Sequence, residues 1–269
     1  MNKSYKVSVL IAHYNNKKYV ERCILSILNQ NYKKIEIVIC DDFSNDNSLK
    51  IIEKYKDRIL IIKNKKKYNI GSYDQINAYN LALKKCKGEI IFFLDSDDFF
   101  HKKKVYKFLE KYQKNPQLNY LVDMPFKYFN KNKKSKIYVK KRSTWFTPWP
   151  RFSPQSCISI KKKYLLNFIK NINYKKFPTI WLDFRLMMNI YLHKNDIDIW
   201  NMHLTYYQQN KNSASNIYKI FTKNWWVRRL EAHEYFYFVS RKFNKNFYTS
   251  FDYLFTLVVN KFFIKRNAN

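Results

Sequence analysis

EIIFFLDSDDFF, residues 89–100, runs from an apolar core-like segment into three aspartates within four positions. Ile90 to Leu94 shows no alternation of polar and apolar residues, the pattern of a short strand covered on both faces in a parallel sheet. Upstream, Ser72 followed by Gln75 predicts a capping box for a helix carrying Ile76, Tyr79 and Leu83, which Lys87 and Gly88 end. RILII at 58–62 reads as another strand, and IEIVIC at 35–40 as a third, followed by the turn-rich DDFSNDNS and a short helix through Leu49, Ile51 and Ile52. Tyr5 to Ala12 is a β-rich opening run, and Tyr19, Val20, Cys23, Ile24, Ile27 and Leu28 then recur with helical spacing. Strand and helix alternating in this order predict an α/β fold. Ligands of such sheets collect outside the carboxyl ends of the strands. Asp41 and Asp42 after one strand should therefore converge with Asp95, Asp97 and Asp98 after another.

The acids stand out because the chain is so basic: 52 Lys and Arg against 20 Asp and Glu give a formal net charge of +32. Such a field draws anions, whether nucleotides, nucleic acid or acidic lipid headgroups. With 269 residues, 46% hydrophobic and 19% aromatic, the chain can bury a substantial core, as one large domain or one domain with an appendage. Two glycines and six prolines leave little room for flexible linkers. Cys23, Cys40, Cys86 and Cys157 form no CxxC pair and sit among apolar neighbours, so buried free thiols and a reducing, cytoplasmic compartment are expected. VSVLIA near the start is too short for a secretory core, and Phe247 to Phe263 is broken by Ser250, Asp252, Asn260 and Lys261, which argues against a transmembrane span.

The second half is less regular. A helix with Val105, Phe108, Leu109 and Tyr112 precedes NYLVDM, and FKYFNKNKKSKIYV reads as a hairpin turned at its lysine-rich middle. The loop TWFTPWPRFSP at 144–154 leads to a helix near Lys161 to Lys170, and Thr179 is the expected cap of a further helix, TIWLDFRLMMNIYLHK. From about Ile217 the chain reads as helical and aromatic to its end.

Two carboxylates one residue apart at a strand end can hold a hard divalent cation, and Mg²⁺ commonly uses one or two carboxylates together with substrate phosphates. A lone DxD is weak evidence, since aspartate is common in turns. VSVLIAHYN, ERCILSILNQNYKKIEIVICDDFSNDNS and NIGSYDQINAYNLALKKCKGEIIFFLDSDD, taken together over about Val7 to Phe99, resemble the nucleotide-binding half of the family 2 glycosyltransferases, which have the GT-A fold. Both glycines, Gly71 and Gly88, fall where that family usually has glycine.

The resemblance implies a GT-A type nucleotide-sugar-binding fold with a mixed, mostly parallel sheet and C-terminal aromatic and basic helices. It implies that Tyr14 and Asp42 contact the nucleotide base, that Asp95 reaches the ribose or the metal, that Asp97 ligates Mn²⁺ or Mg²⁺, and that Asp98 stands behind them or touches the sugar. Inverting members use a carboxylate on a later helix as base, and WLDFRL at 181–186 makes Asp183 the candidate, with Asp196 and Asp198 as weaker rivals. The implied partners are a nucleotide-sugar donor of UDP type and a saccharide or lipid-linked saccharide acceptor in cell-surface glycan assembly.

Departures accompany the resemblance. Tyr79 stands where the family often has arginine, and Tyr206, Tyr207, Gln208, Gln209 and Asn210 stand in place of a YYR-x-H segment, which leaves no histidine ligand there; His203 reads as a strand residue. The QxxRW motif of polymerising relatives is absent, favouring addition of a single sugar.

The expected divisions are 1–100 for the nucleotide-sugar half, 101–210 for the acceptor half and 211–269 for a helical extension that either lies on an anionic membrane surface or packs on the domain. The rivals are a basic nucleic-acid-binding protein and a phosphotransferase with an aspartate nucleophile. Scattered lysines and clustered acids speak against the first, so no nucleic acid partner is expected, and Asp98-Phe99 departs from the pattern of the second.

Overall fold

The structure, a computed structural model, describes residues 4–138, 146–172, 175–194, 199–210 and 217–264. Four strands, β1 (Val7–His13), β2 (Ile35–Asp41), β3 (Leu60–Lys63) and β4 (Ile90–Asp95), lie parallel in the order β3-β2-β1-β4. They are joined by α1 (Val20–Leu28), α2 (Ser48–Glu53) and α3 (Gly71–Lys85). The period of two along a strand divides its side chains between two cores. On β4, Ile90, Phe92 and Leu94 join α1 together with Val105, Phe108 and Tyr112 of α4 (Lys104–Lys114), while Ile91 and Phe93 face α3 on the other side.

Beyond β4 the sheet continues with mixed polarity. β5 (Phe99–Phe100), β6 (Tyr120–Asn130), β7 (Lys133–Lys136), β8 (Ile158–Lys161) and β9 (Ile199–Gln208) complete the order β4-β8-β6-β9-β5, with β7 hairpinned onto β6. β8 is antiparallel to both β4 and β6, and β9 runs parallel to β6. α5 (Lys162–Asn171) and α6 (Leu182–Lys194) cover the same face as α3. α7 (Lys223–Lys242) and α8 (Phe251–Val259) form the C-terminal helical pair, and α7 packs on α6 through Trp149, Phe177, Met188, Tyr235 and Phe236.

Gly88 sits where α3 hands over to β4. A Cβ there would lie 2.3 Å from Ser8 Oγ and 2.4 Å from the Ser8 nitrogen, so only glycine lets this turn press against β1. Its own N–H donates to Ser8 Oγ (2.7 Å) and to Glu36 Oε1 (2.8 Å).

Two caps differ from expectation. α3 begins at Gly71 with no side-chain cap; Ser72 Oγ instead donates to the Pro178 carbonyl (2.5 Å), and Gln75 Oε1 accepts from the Leu182 amide (3.4 Å). Thr179 lies ahead of α6 without capping it: its amide and hydroxyl both donate to Glu231 Oε2 of α7, each at 2.9 Å. The loop between is held by Arg185, whose fully buried guanidinium donates to the carbonyls of Lys176, Phe177 and Ile180, forcing turns where a helix start was expected.

Candidate active site

The carboxyl ends of β1, β2 and β4 open onto a cleft of about 1130 Å³ whose walls include Tyr14, Asp42, Asp95, Asp97, Trp181, Asp183 and Arg228. Each acid arrives by a different route. Asp42 follows β2, with its amide held by the His13 carbonyl (2.8 Å), and Asp95 is the last residue of β4. Asp97 sits in the turn leading to β5, and Asp183 is in the first turn of α6. The strand-end placement expected for Asp42, Asp95 and Asp97 is thus what brings them together. Asp196 and Asp198 lie outside the described residues.

At one end of the cleft, Tyr14 is 48% exposed, a rim aromatic and not a core one, with the Lys67 ammonium 4.3 Å from its ring centroid. Asp42 Oδ1 accepts from Asn64 Nδ2 (2.7 Å); burial pushes its carboxyl up, against the pull of that bond and of Lys67. Asp41, by contrast, turns back into its own loop, where Oδ2 accepts from the Ser44 amide (3.3 Å). The loops after β1 and β2 are laced together through Asn15, which takes a left-handed φ of 46° and accepts from the Asn45 amide (2.8 Å).

In the middle, Asp95 Oδ1 accepts from Tyr79 Oη (2.9 Å), so the residue that departs from the usual arginine supplies a neutral donor to the acid. Burial, then the charge of Asp97, push Asp95 up to about 7, with Asp183 adding to the repulsion. Asp97 is also raised by burial, and Arg22 opposes this. Arg22 donates to the Asp97 carbonyl (3.0 Å) and to Gln208 Oε1 (2.7 Å) and stacks 4.2 Å over Phe99. The guanidinium missing at position 208 is therefore present nearby, delivered from α1.

Asp98 does not face the ligand space. It is fully buried, with Oδ2 accepting from Ser156 Oγ (2.6 Å) and Oδ1 from the Gln208 amide (2.8 Å), so of the two places expected for it, behind the other acids or against the sugar, the geometry agrees with the first. Ser156, absent from any sequence expectation, is the hub. Its hydroxyl also accepts from the Asp95 amide (3.0 Å), and its carbonyl accepts from Lys104 Nζ (2.7 Å). Lys104, one of three consecutive lysines that read as surface, is wholly buried against Asp123 (3.1 Å). No sequence signal separates it from Lys102 and Lys103, because its burial depends on partners far along the chain.

At the far end, Asp183 is pushed up by burial and held down by Arg228. It does not pair with Arg185, which is committed to backbone carbonyls. His203 is a strand histidine whose Nε2 lies 3.2 Å from the Ile137 carbonyl.

The donor set fits a divalent ion of limited kind. Among the described residues no group of three or more His, Cys, Asp or Glu side chains gathers as a metal cage. Two mutually repelling carboxylates, Asp95 and Asp97, face the cleft, which suits an oxygen-preferring ion that completes its shell with phosphate and water.

The sheet order with its strand-end cleft is that of a GT-A-type fold. The structure of residues 1–349 of TarS from Staphylococcus aureus in complex with UDP-GlcNAc superposes with a TM-score of 0.60 at 20% identity, covering 85% of this chain and 66% of that one. Mannosyltransferase PcManGT from Pyrobaculum calidifontis in complex with GDP-Man and Mn²⁺ gives 0.59 at 14% identity, covering 97% and 71%. The family model "Glycosyl transferase family 2" matches residues 8–175, and the chain belongs to that family. Curated relatives include the UDP-Glc:alpha-D-GlcNAc-diphosphoundecaprenol beta-1,3-glucosyltransferase WfaP of Escherichia coli, 50% identical over 95 residues, or 35% of this chain and 36% of WfaP. The poly(ribitol-phosphate) beta-N-acetylglucosaminyltransferase TarS of S. aureus is 35% identical over 99 residues, 36% of this chain and 17% of TarS. Chondroitin synthase of E. coli is 39% identical over 115 residues, 42% and 16%. The matches thus span about a third or less of these relatives' lengths.

Proposed function

We propose that the protein transfers one sugar from a nucleotide-sugar, of UDP type, to a saccharide hydroxyl with inversion and with help from Mn²⁺ or Mg²⁺, in the assembly of a cell-surface glycan. The observation that carries this reading is that Tyr14, Asp42, Asp95, Asp97 and Asp183, drawn from separate elements, line one cleft. Tyr14 and Asp42 receive the base, Asp42 accepting an N–H of the ring. Asp97, with Asp95, would hold the metal ion, which when bound supplies positive charge to the departing diphosphate. Asp183 takes the proton of the attacking hydroxyl. Burial raises its affinity for a proton, and the charge of Arg228 opposes this. The names of WfaP and TarS both specify phosphate-bearing acceptors, which supports an acceptor of that class, a lipid-linked saccharide among them. Residues 1–100 serve the donor in this reading and 101–210 the acceptor, on one continuous sheet.

The test is a panel of nucleotide-sugars with and without Mn²⁺, read by thermal shift and by release of nucleoside diphosphate. A UDP-sugar that stabilises the protein in a metal-dependent way is the expected result. Stabilisation by no nucleotide-sugar, or by none that the metal improves, would remove the proposed donor chemistry.

We further propose that residues 217–264 rest on an anionic membrane surface on the cytoplasmic side. Among the described residues no helix is long and apolar enough to cross a membrane. Phe146, Phe251, Phe255, Trp226 and Phe221 nevertheless connect ring to ring, and Phe251 and Phe221 are 61% and 75% exposed. An aromatic face of this kind flanked by lysines suits an interface with acidic lipid.

A further inference from the structure

α7 carries two adjacent arginines with different employments. Arg229 is consumed by α8: Nε donates to Asp252 Oδ1 (2.7 Å) and Nη2 to Oδ2, an acid also bonded by His233 Nε2 (3.0 Å) and Thr147 Oγ1 (3.0 Å). Arg228, about 100° round the helix, lines the cleft with Trp181 and Asp183. Its guanidinium is 4.7 Å from the Tyr218 ring centroid, a support that holds the group without using its donors. Among the described residues it has no hydrogen-bond or ion-pair partner, so a guanidinium with uncommitted N–H donors lies at the cleft wall.

Lys17, Lys18, Lys67 and Arg228 line this cleft, and Arg22 stands behind its acid turn. Lys67 stands over Tyr14 at the end assigned to the base, and its charge is felt by Asp42. Arg22 is tied to the Asp97 carbonyl behind the acid turn, and its charge is felt by Asp97. Arg228 is the cation felt by Asp183, at the end where the acceptor hydroxyl must arrive. A planar guanidinium with free donors matches the oxygens of phosphate better than it matches neutral sugar hydroxyls.

We propose that Arg228 is an anion-binding residue of the acceptor subsite, taking a phosphate group carried by the acceptor next to the sugar that receives the new linkage. This rests on the assignment of Asp183 as the base, which defines the acceptor end. The same guanidinium chemistry could serve the diphosphate of the donor, and the experiment separates the two sources.

The full chain, Arg228→Ala and Arg228→Lys are assayed with a panel of alkyl glycosyl diphosphates, each paired with the neutral alkyl glycoside of the same sugar. Acceptor-free hydrolysis of the donor is followed in parallel. Expected for Arg228→Ala is a rise of about tenfold or more in KM for the diphosphate acceptor, as for loss of a hydrogen bond to a charged group. Donor KM stays within about twofold, any change that reaches turnover through Asp183 falls equally on both acceptors and on hydrolysis, the preference for diphosphate over neutral acceptor disappears, and Arg228→Lys recovers part of it. A raised donor KM with equal losses on both acceptors would assign Arg228 to the donor and overturn the proposal. Calorimetric binding of the glycosyl diphosphates without donor reads the subsite independently of turnover. If the wild-type chain transfers to no acceptor yet binds the diphosphate through Arg228, the transferase reading fails and the subsite stands. Equal binding by wild type and Arg228→Ala overturns the subsite.

Discussion

At Asp183, the proposed base, two influences oppose each other, burial raising the affinity for a proton and Arg228 lowering it. Asp183→Asn keeps the shape and removes the basicity, so kcat should fall by about 10²–10⁴-fold with donor affinity little changed; near-normal turnover would dismiss Asp183 as the base. Asp97→Ala should abolish the response of the rate to Mn²⁺, measured as activity against metal concentration; an unaltered metal curve and rate would end the assignment of Asp97 to the ion. That Asp42, Asp95 and Asp97 share a site was legible, because each follows a strand and strand ends of a parallel sheet converge. Which of its two expected places Asp98 takes, behind the other acids or against the sugar, was not. Its direction is decided by Ser156 and Gln208, 58 and 110 residues away, and no local pattern in DSDD distinguishes an acid that faces water from one that meets a distant hydroxyl.

Among the elements, the turn between α3 and β4 tolerates no side chain. Gly88→Ala would drive a methyl into the backbone of Val7 and Ser8, a rigid neighbour that cannot swing aside. A loss of about 1–3 kcal/mol in urea unfolding is expected, the usual cost of overpacking; unchanged stability would show that the turn can open. Lys104→Met should be harsher, about 3–5 kcal/mol, because it strands the buried Asp123 without its cation. The four parallel strands and their helices were readable from apolar periodicity. The two expected caps were not formed, because Ser72, Gln75 and Thr179 found partners on other elements: Pro178, Leu182 and Glu231. A side chain that could close a helix end locally can equally bridge to a neighbour, and only tertiary contact decides.

For the molecule as a whole, the buried histidines are one source of sensitivity to acid. His13 and His233 are both lowered by burial below the ordinary 6.5, despite Asp41 and Asp46 beside the first and Asp252 beside the second, where Arg229 adds repulsion. The unfolded chain then takes a proton near pH 6.5 that the folded chain refuses until lower pH, so this contribution is present above about 6.5 and is lost as pH falls. Asp95, raised to about 7, contributes in the opposite sense over the same range, so the histidine share shows as a difference: the urea midpoint at pH 5.5 relative to pH 7.5 should be higher in His233→Gln than in wild type, and an equal change in the two would exclude His233 as a source. The charge of +32 and the aromatic face predict co-sedimentation with vesicles rich in anionic lipid, weakened by salt and by paired Phe251→Ser and Phe255→Ser changes. Equal sedimentation with neutral vesicles, or no effect of the paired change, would contradict a membrane-facing surface. The bonds from α3 to the loop before α6 carry a last consequence. Ser72 and Tyr73 grip the carbonyls of Pro178 and Lys175, and Gln75 grips the amide of Leu182, the residue before Asp183. α3 and the stretch that carries Asp183 are thus pinned at three points. In the proposed reading, a donor that displaced α3 would carry Asp183 with it, and an acceptor that displaced Asp183 would act back on α3 to the same degree.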